Sequence, residues 1–517
     1  MKRIILYLVA VALLNSSCHI FRPVQTSDDG EIEVNLLQIN DVYEIAPLSG
    51  GKEGGMARVA TFKKQYLQKN PNTFLVIAGD FLSPSVYNSL QYMGKPIRGK
   101  QMVEAMNAAG VDIAVFGNHE FDIREAELQE RIDESSFLWV SSNTFHKKND
   151  KVQPFVKANV GPLPKTHILR VKDADGTTAS IGIIGLTLPF NRAEYVSYTD
   201  PVVTAKEMYN SLKDSVDAVI AITHLQMEED ERLAREIPGL ALIIGGHEHD
   251  QRFKKVGNVY ITKAMANAKS AYAIKLEIEK KKGKVDVDVK PKLVLLNESV
   301  PLDSATNAVV QKWVEIANNN YASLGFDAKQ IMITKSVPLD GRETEVRRRE
   351  TELTKLIVAA MKNAAPAADV VLMNGGSIRV DDIIYPPVSQ YDILRTLPFG
   401  GAIKEVDMKG GLLEKILTTG KKNLNVGGYL HYNNEVQFDA TANKWLINNT
   451  PVDPSKTYRV AMAEFLLTGR EANLDFLNAK NPDIVKVYET EKSNASLADI
   501  RMAVVQYLEK NKNQYRD

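Results

Sequence analysis

Five short apolar runs in the first half of the chain each end in a residue able to hold a metal or move a proton. Val34 to Ile39 leads into Asn40-Asp41, and Phe74 to Ala78 into Gly79-Asp80. Val111 to Phe116 leads into Gly117-Asn118-His119, Ala218 to Ile222 into Thr223-His224, and Leu240 to Ile244 into Gly245-Gly246-His247-Glu248-His249. Carboxylate, amide and imidazole donors in this mixture suit a pair of divalent cations, and the chemistry they point to is metal-assisted hydrolysis. Taken singly, each has a duller reading, because Asp after Gly is common in turns and a lone histidine is more often surface or satisfied core. Jointly they carry more weight: four of the chain's eight histidines fall at the ends of such runs.

The elements that must position these residues follow from the same runs. Short, Val- and Ile-rich and separated by helix-period segments, the runs read as buried strands of an α/β sheet. Ligand sites in such sheets lie beyond the carboxyl ends of the strands, so residues some two hundred positions apart are expected in one crevice. Met56 to Lys69 and Gln101 to Ala109 read as half-buried helices. Ala179 to Ile184 is a further strand, and Ala271 to Ile278 alternates as an antiparallel edge strand does. Asp303 or Ser304 can cap a helix running to about Asn320 with Ala308, Val309, Trp313 and Ile316 on one face. Such a helix either connects two domains or belongs wholly to one. Downstream, Thr351 to Met361 and Lys409 to Leu417 read as helices, and Val370 to Met373 as a strand ending in Asn374-Gly375-Gly376-Ser377-Ile378-Arg379. The glycine pair lets backbone approach a ligand, and Arg379 offers a planar fork for phosphate or carboxylate.

With 517 residues, the chain exceeds what one hydrophobic core usually supports, so two domains are expected. Lys plus Arg equals Asp plus Glu at 64 each, which leaves no excess positive charge to hold a nucleic acid polymer. The only cysteine, Cys18, ends a segment that is not part of the fold: Lys2 and Arg3, the apolar stretch Ile4 to Leu14, then Asn15-Ser16-Ser17. This reads as an export signal. It resembles a bacterial lipoprotein signal, in which the cysteine is lipidated, although Asn15 stands where that pattern usually has an aliphatic residue. The alternative is a plain signal peptide in which Cys18 is incidental.

Together these blocks resemble the 5′-nucleotidase family of exported metallophosphoesterases. Gly79-Asp80, Gly117 to Asp122, Thr223-His224 and Gly246 to His249 are similar to its calcineurin-like domain. Asn374 to Arg379, Leu397-Pro398-Phe399-Gly400-Gly401 and Arg347 to Glu350 are similar to its nucleotide-binding domain. The resemblance implies a layered β-sandwich flanked by helices, a linker helix and a second α/β domain. The expected divisions are a signal peptide at 1–17, a lipid-anchored tether at 18–31, a metallophosphoesterase domain at 32–302, a linker helix at 303–325 and a substrate-binding domain at 326–517. It further implies that Asp80 bridges two metals (Mn, Zn, Co or Fe), with Asp41 and His249 at the first site and Asn118, His224 and His247 at the second. Metal-bound hydroxide would attack phosphorus, His119 would stabilise charge or protonate the leaving group, and Asp122 would orient His119. Asp122 could instead serve the dipole of the following helix. Arg347 and Arg379 are expected at the phosphate of a nucleotide, Gly376 among the residues that bind substrate, Asn374 at base or ribose, and Phe399 and Phe465 on the two faces of the base, with Asp475 binding ribose. The duller readings are a packed turn for Phe399 and a solvated helix start for Arg347. The resemblance also implies rotation of the two domains between open and closed arrangements.

One departure concerns the metals. The family writes its first block Asp-x-His, whereas this chain has Asp41-Val42-Tyr43. Three readings stay open: Tyr43 ligates as phenolate, water fills the place, or the first site is weak. The expected function is an exported, membrane-anchored hydrolase that removes phosphate from nucleotides, facing the periplasm or the cell exterior. Cleavage of 2′,3′-cyclic nucleotides or nucleotide sugars, and low-turnover nucleotide binding, are the alternatives.

Overall fold

The computed structural model describes residues 28–517 apart from 150, 192, 282 and 491–493. The signal segment, Cys18 and most of the expected tether lie outside these residues. Among the described residues no helix is long and apolar enough to cross a membrane.

The chain begins with β1 (Glu31–Ile39), α1 (Met56–Leu67), β2 (Thr73–Ala78), α2 (Lys100–Ala109), β3 (Ile113–Val115) and β4 (Leu138–Trp139). It continues through β5 (Thr166–Lys172), β6 (Thr178–Thr187), α3 (Pro201–Leu212), β7 (Ala218–His224), α4 (Met227–Glu236) and β8 (Leu242–Gly245). Strands β9 (Arg252–Val256), β10 (Val259–Lys263), β11 (Ser270–Lys281) and β12 (Lys284–Leu295) complete the first half. The site-bearing strands do not form one sheet, as their similar sequences suggest, but two. One runs β12-β11-β1-β2-β3-β4 and the other β5-β6-β7-β8-β10-β9.

The two sheets face each other across a shared apolar layer. Val34, Leu36, Val76 and Val115 from the first meet Ile183, Ile220, Ile222 and Ile244 from the second. The outer face of the first sheet buries α1 and α2 through Leu37, Ile39 and Ile77 against Met56, Phe62 and Met102. The outer face of the second buries α3 and α4 through Ala221 and Ile243 against Ala205, Leu212 and Leu233. Strands covered on both faces have no need of alternation, which is why they read as continuous apolar runs.

Strand β11 is not the edge strand its alternation suggests. It lies between β1 and β12, antiparallel to both. Its alternation arises because Ile274, Leu276 and Ile278 face the sandwich interior while the intervening positions are partly exposed.

A long helix, α5 (Ser304–Ser323), follows with Asp303 as N-cap, its carboxylate accepting from Thr306 N at 3.0 Å. It packs on the first domain through Val310 and Trp313, and near its C-terminus Tyr321 stands edge-on to Tyr391 at 6.5 Å. The second domain comprises α6 (Glu352–Ala364), β13 (Val370–Asn374), α7 (Gln390–Thr396), β14 (Ile403–Lys409), α8 (Gly410–Lys422), β15 (Leu430–Tyr432), β16 (Thr457–Ala463), β17 (Ile484–Val487) and α9 (Ile500–Lys510). Its mixed sheet, ordered β15-β13-β16-β14-β17, buries α6 on one face and α8 on the other.

Candidate active site

Strands β1, β2 and β3 run parallel in register, Gln38 opposite Val76 and Val76 opposite Ile113, so Asp41, Asp80 and Asn118 leave one rim side by side. Strands β7 and β8 are likewise parallel and bring His224 and the His247–His249 loop to that rim from the facing sheet. Asp41 and Asp80 turn into it through left-handed backbone, with φ of 53° and 54°, and His247 does so at 87°. Such strain in residues other than glycine persists where the surroundings enforce it, and it gathers at functional sites.

Asp41, Asp80 and His224 are fully buried and offer donor atoms all within 4.8 Å of one another. His224 Nδ1–H donates to the Ala78 carbonyl at 2.8 Å, which turns Nε2 toward Asp80 Oδ2 at 3.1 Å and Asp41 Oδ1 at 3.9 Å. Burial opposes charging this imidazole, but the Asp80 and Asp41 carboxylates overcome it and lift its pKa to about 9. Burial likewise opposes ionisation of Asp80, yet His224 and His119 hold its carboxyl well below the usual range. A site that draws a proton onto a buried histidine is a site of strong negative potential. His224 Nε2 and Asn118 Oδ1 are both buried without a hydrogen-bond partner. A buried amide oxygen and an imidazole nitrogen without partners, beside two carboxylates, fit cations and would be costly without them.

His249 Nε2 lies 3.5 Å from Asp41 Oδ1 and 2.9 Å from the Tyr43 hydroxyl, which is 3.4 Å from both Asp41 Oδ1 and Asp80 Oδ2. Burial, then Asp80 and Asp41, push the Tyr43 phenol well above its ordinary pKa. His247 donates its backbone N–H to Asp41 Oδ2 at 3.0 Å, and its ring stands 5.3 Å from that of His224. Burial, followed by His224, lowers its pKa to about 3, leaving a neutral imidazole suited to ligation.

His119 sits beside this cluster. Its backbone N–H donates to Asp80 Oδ1 at 2.8 Å and its Nδ1–H to Asp122 Oδ2 at 2.6 Å. Asp122 also accepts from Ser83 Oγ and Asn191 Nδ2, so its carboxylate is spent on side chains and does not cap the following helix, whose N-cap is Arg124.

Sequence reading missed the residues that hold the loops. Glu120 is fully buried and accepts from the backbone N–H of Asp80, Phe81, Leu82 and Gly117 at 2.5–3.0 Å, tying the loop after β2 to the loop after β3. Burial, then Asp80, raises its pKa to about 7. The buried Lys263 ammonium donates to Leu225 O and Gly246 O and pairs with Asp230 at 2.8 Å and with Glu248, joining the loops after β7 and β8. An acid between His119 and Phe121 was the only outward sign of the first device; nothing local marked the second. Gly117 is also fixed by space, since a Cβ there would fall 2.1 Å from Asp80 Oδ1. Gly117→Ala is therefore expected to displace the Asp80 carboxylate and weaken cation binding by about 10- to 100-fold, read by metal titration with the fold checked by circular dichroism.

In the second domain, Arg347, Asn374, Gly376, Arg379, Phe399 and Phe465 line a cavity of about 860 Å3. Phe399 is 67 % exposed, so it is no packed turn, and Phe465 is 43 % exposed, leaving both rings with free surface. Arg347 is not part of a solvated run: Arg348 and Arg349 face solvent, while Arg347 turns inward to pair with Glu343. Asp475 lies outside this cavity and is exposed. The acid of that loop on the wall is Glu471, six positions after Phe465, which accepts from Asn374 Nδ2; Glu464, next to Phe465, lines the wall as well. Two carboxylates stand close together in that loop, and only the fold shows which one turns inward.

Arg347 and Arg379 also line an adjoining cavity of about 810 Å3 together with Tyr43, Asp80, His119, His247 and His249. The two domains meet here. Arg379 Nη2 donates to His119 Nε2 at 3.3 Å, and His249 Nδ1–H donates to Asp381 Oδ2 at 2.5 Å. Lys269 pairs with Asp382, and Tyr391 donates to Glu44. Asp381 thus orients from the second domain a histidine of the first. Asp381→Asn is expected to lower cation affinity at the His249 end by about 10- to 100-fold while leaving the His224 end unaffected, as read by stepwise metal titration.

Comparison with known proteins places these features. Residues 34–251 match the family model for calcineurin-like phosphoesterases, and residues 331–477 match that for the 5′-nucleotidase C-terminal domain. The chain is 27% identical to the 5′-nucleotidase of Bos taurus over 80% of its own length and 78% of that protein. It is 25% identical to protein UshA of Yersinia enterocolitica over 85% of its length and 86% of that protein. Its fold is similar to the crystal structure of a 5′-nucleotidase precursor from Thermus thermophilus, with a TM-score of 0.69 and 24% identity, covering 93% of this chain and 97% of that one.

Proposed function

Because the chain belongs to the 5′-nucleotidase family and is a metal-dependent phosphoester hydrolase, we propose that it releases the terminal phosphate of nucleotides held across its two domains. The observation that carries this reading is that Arg347 and Arg379 belong to both cavities. A base between Phe399 and Phe465 leaves its phosphate at the arginines, beside His119 and the Asp41–Asp80 cluster. Asn374, Gly376 and Glu471 supply polar edges for the sugar.

In this reading Asp80 would be shared by two cations, with Asp41 and His249 as the residues that would hold the first and Asn118, His224 and His247 those that would hold the second. When bound, the cations supply Lewis acidity at the phosphoryl oxygens and make water a nucleophile at neutral pH. The protein's own groups do the rest. The arginine forks fix the phosphate and offset its charge. His119, held at Nδ1 by Asp122, presents Nε2 toward the phosphate, where it stabilises developing charge or protonates the departing alkoxide. Burial opposes its protonation, Asp80 and Asp122 raise its pKa, and the neighbouring Arg379 works against them. Export and lipidation at Cys18 complete the proposal and place the enzyme at a membrane surface.

Phosphate release from AMP, UDP-glucose and 2′,3′-cyclic AMP, measured with added Mn²⁺, Zn²⁺, Co²⁺ or Fe, tests it. Turnover of AMP that is lost on chelation and restored by metal is expected. No turnover with any cation, alongside tight AMP binding, would replace the hydrolase with a nucleotide-binding protein.

A further inference from the structure

We propose that Tyr43 is itself a ligand of the cation held by Asp41, Asp80 and His249, and that this donor makes the site one for trivalent iron. The inference rests on reading the Asp41–Asp80 cluster as a metal centre and adds a residue and a metal to it.

The phenol is fixed in place before any cation arrives. Tyr43 is buried, its backbone N–H donates to Asn267 Oδ1 at 3.0 Å, and its ring stands edge-on to His249 with centroids 5.3 Å apart. Its hydroxyl faces His249 Nε2 at 2.9 Å and Asp41 Oδ1 and Asp80 Oδ2 at 3.4 Å each. His249 gives its Nδ1–H to Asp381, which aims Nε2 at the phenol. One hydroxyl proton cannot serve both carboxylates at once. Two buried carboxylates brought together with a phenol oxygen and an imidazole nitrogen make a donor set that a cation would draw together.

The phenol oxygen lies 2.9 to 3.4 Å from its three neighbours, and His249 Nε2 lies 3.5 Å from Asp41 Oδ1. Bonds of about 2.1 Å to a first-row cation set neighbouring donors about 3.0 Å apart at right angles and about 3.4 Å apart in a tetrahedron. Water cannot take the fourth place without displacing the phenol. Two carboxylates and a phenolate form a hard, triply anionic oxygen set, which matches a trivalent ion better than a softer divalent one. The phenol proton leaves to bulk water as the oxygen–metal bond forms, and no electron is transferred.

The test uses the whole chain, stripped of metal by chelation and reloaded with ferric citrate alone, with zinc alone, or with both at equal concentration. The expected result is an intense visible phenolate-to-iron charge-transfer band in the iron-loaded wild type and none in Tyr43→Phe, which keeps the ring and removes the donor. From the mixture, the wild type is expected to retain one iron per chain by mass spectrometry and Tyr43→His to retain zinc at both sites. An iron-loaded wild type without the band, the same band in Tyr43→Phe, or a wild type that takes zinc at both sites from the mixture overturns the proposal. The wild-type spectrum decides the question even if a variant fails to fold. Equal AMP hydrolysis by the zinc-loaded wild type and Tyr43→Phe, with no band in either loaded with iron, removes this inference and leaves the hydrolase intact. Failure to bind either metal stoichiometrically removes both.

Discussion

Asp80→Asn is expected to lower kcat/KM by about a thousand-fold or more, the scale of several kcal/mol of lost charge stabilisation. The carboxylate uses both oxygens: Oδ1 accepts the His119 backbone N–H, and Oδ2 faces His224 Nε2 at 3.1 Å and the Tyr43 hydroxyl at 3.4 Å. An amide keeps the volume and one acceptor but removes the charge, and it turns an N–H toward the donors that need a cation between them. Both metal sites are then expected to weaken together, whereas a ligand of one site alone would weaken only that one. Metal content by mass spectrometry, with turnover at fixed metal and a melting curve to show that the fold survives, separates these outcomes. Activity within ten-fold of wild type with unchanged metal content would remove Asp80 from the bridging role.

Arg379→Ala is expected to cost about 10²- to 10³-fold in kcat/KM, the size of a lost oriented donor at developing charge. The guanidinium sits where the two cavities adjoin, pairs weakly with Glu343 at 3.4 Å, reaches His119 at 3.3 Å and leaves Nε buried without a partner. Its hydrogen-bonding capacity is thus largely uncommitted in the absence of an anion. Lysine restores the charge but not the planar fork, so Arg379→Lys is expected to recover only part of the loss. Direct titration with inorganic phosphate and separate kcat and KM values check this. A variant that loses activity but binds phosphate as wild type does would place Arg379 in domain contact alone.

Residues at strand ends were legible because burial writes a plain signal: an apolar run, then a polar side chain that nothing in the run requires. Asp41, Asp80, Asn118 and His224 were found that way. The division of those strands between two sheets was not legible, since a strand covered on both faces reads the same in either. Asp381 escaped because its partner, His249, lies 132 positions earlier in another domain, and only the packing of the two domains brings them together. Lys263 and Glu120 serve backbone atoms of loops, and backbone leaves no trace in residue identity. Asp475 was expected from the family resemblance alone, and the loop after Phe465 gives no periodicity that would have singled out Glu471. The phenol of Tyr43 was noticed, but its orientation into the site is a tertiary fact.

The contact between Asp381 and His249 has a thermodynamic corollary. If the two halves rotate as the family resemblance implies, a carboxylate that improves an imidazole donor only when they meet makes ion occupancy and interdomain geometry linked equilibria. By reciprocity, whatever factor the shut form gains in affinity for the ion, the loaded protein gains in preference for the shut form. In that case the cation would act as an internal effector, biasing the whole chain toward the arrangement in which Arg379 stands beside His119.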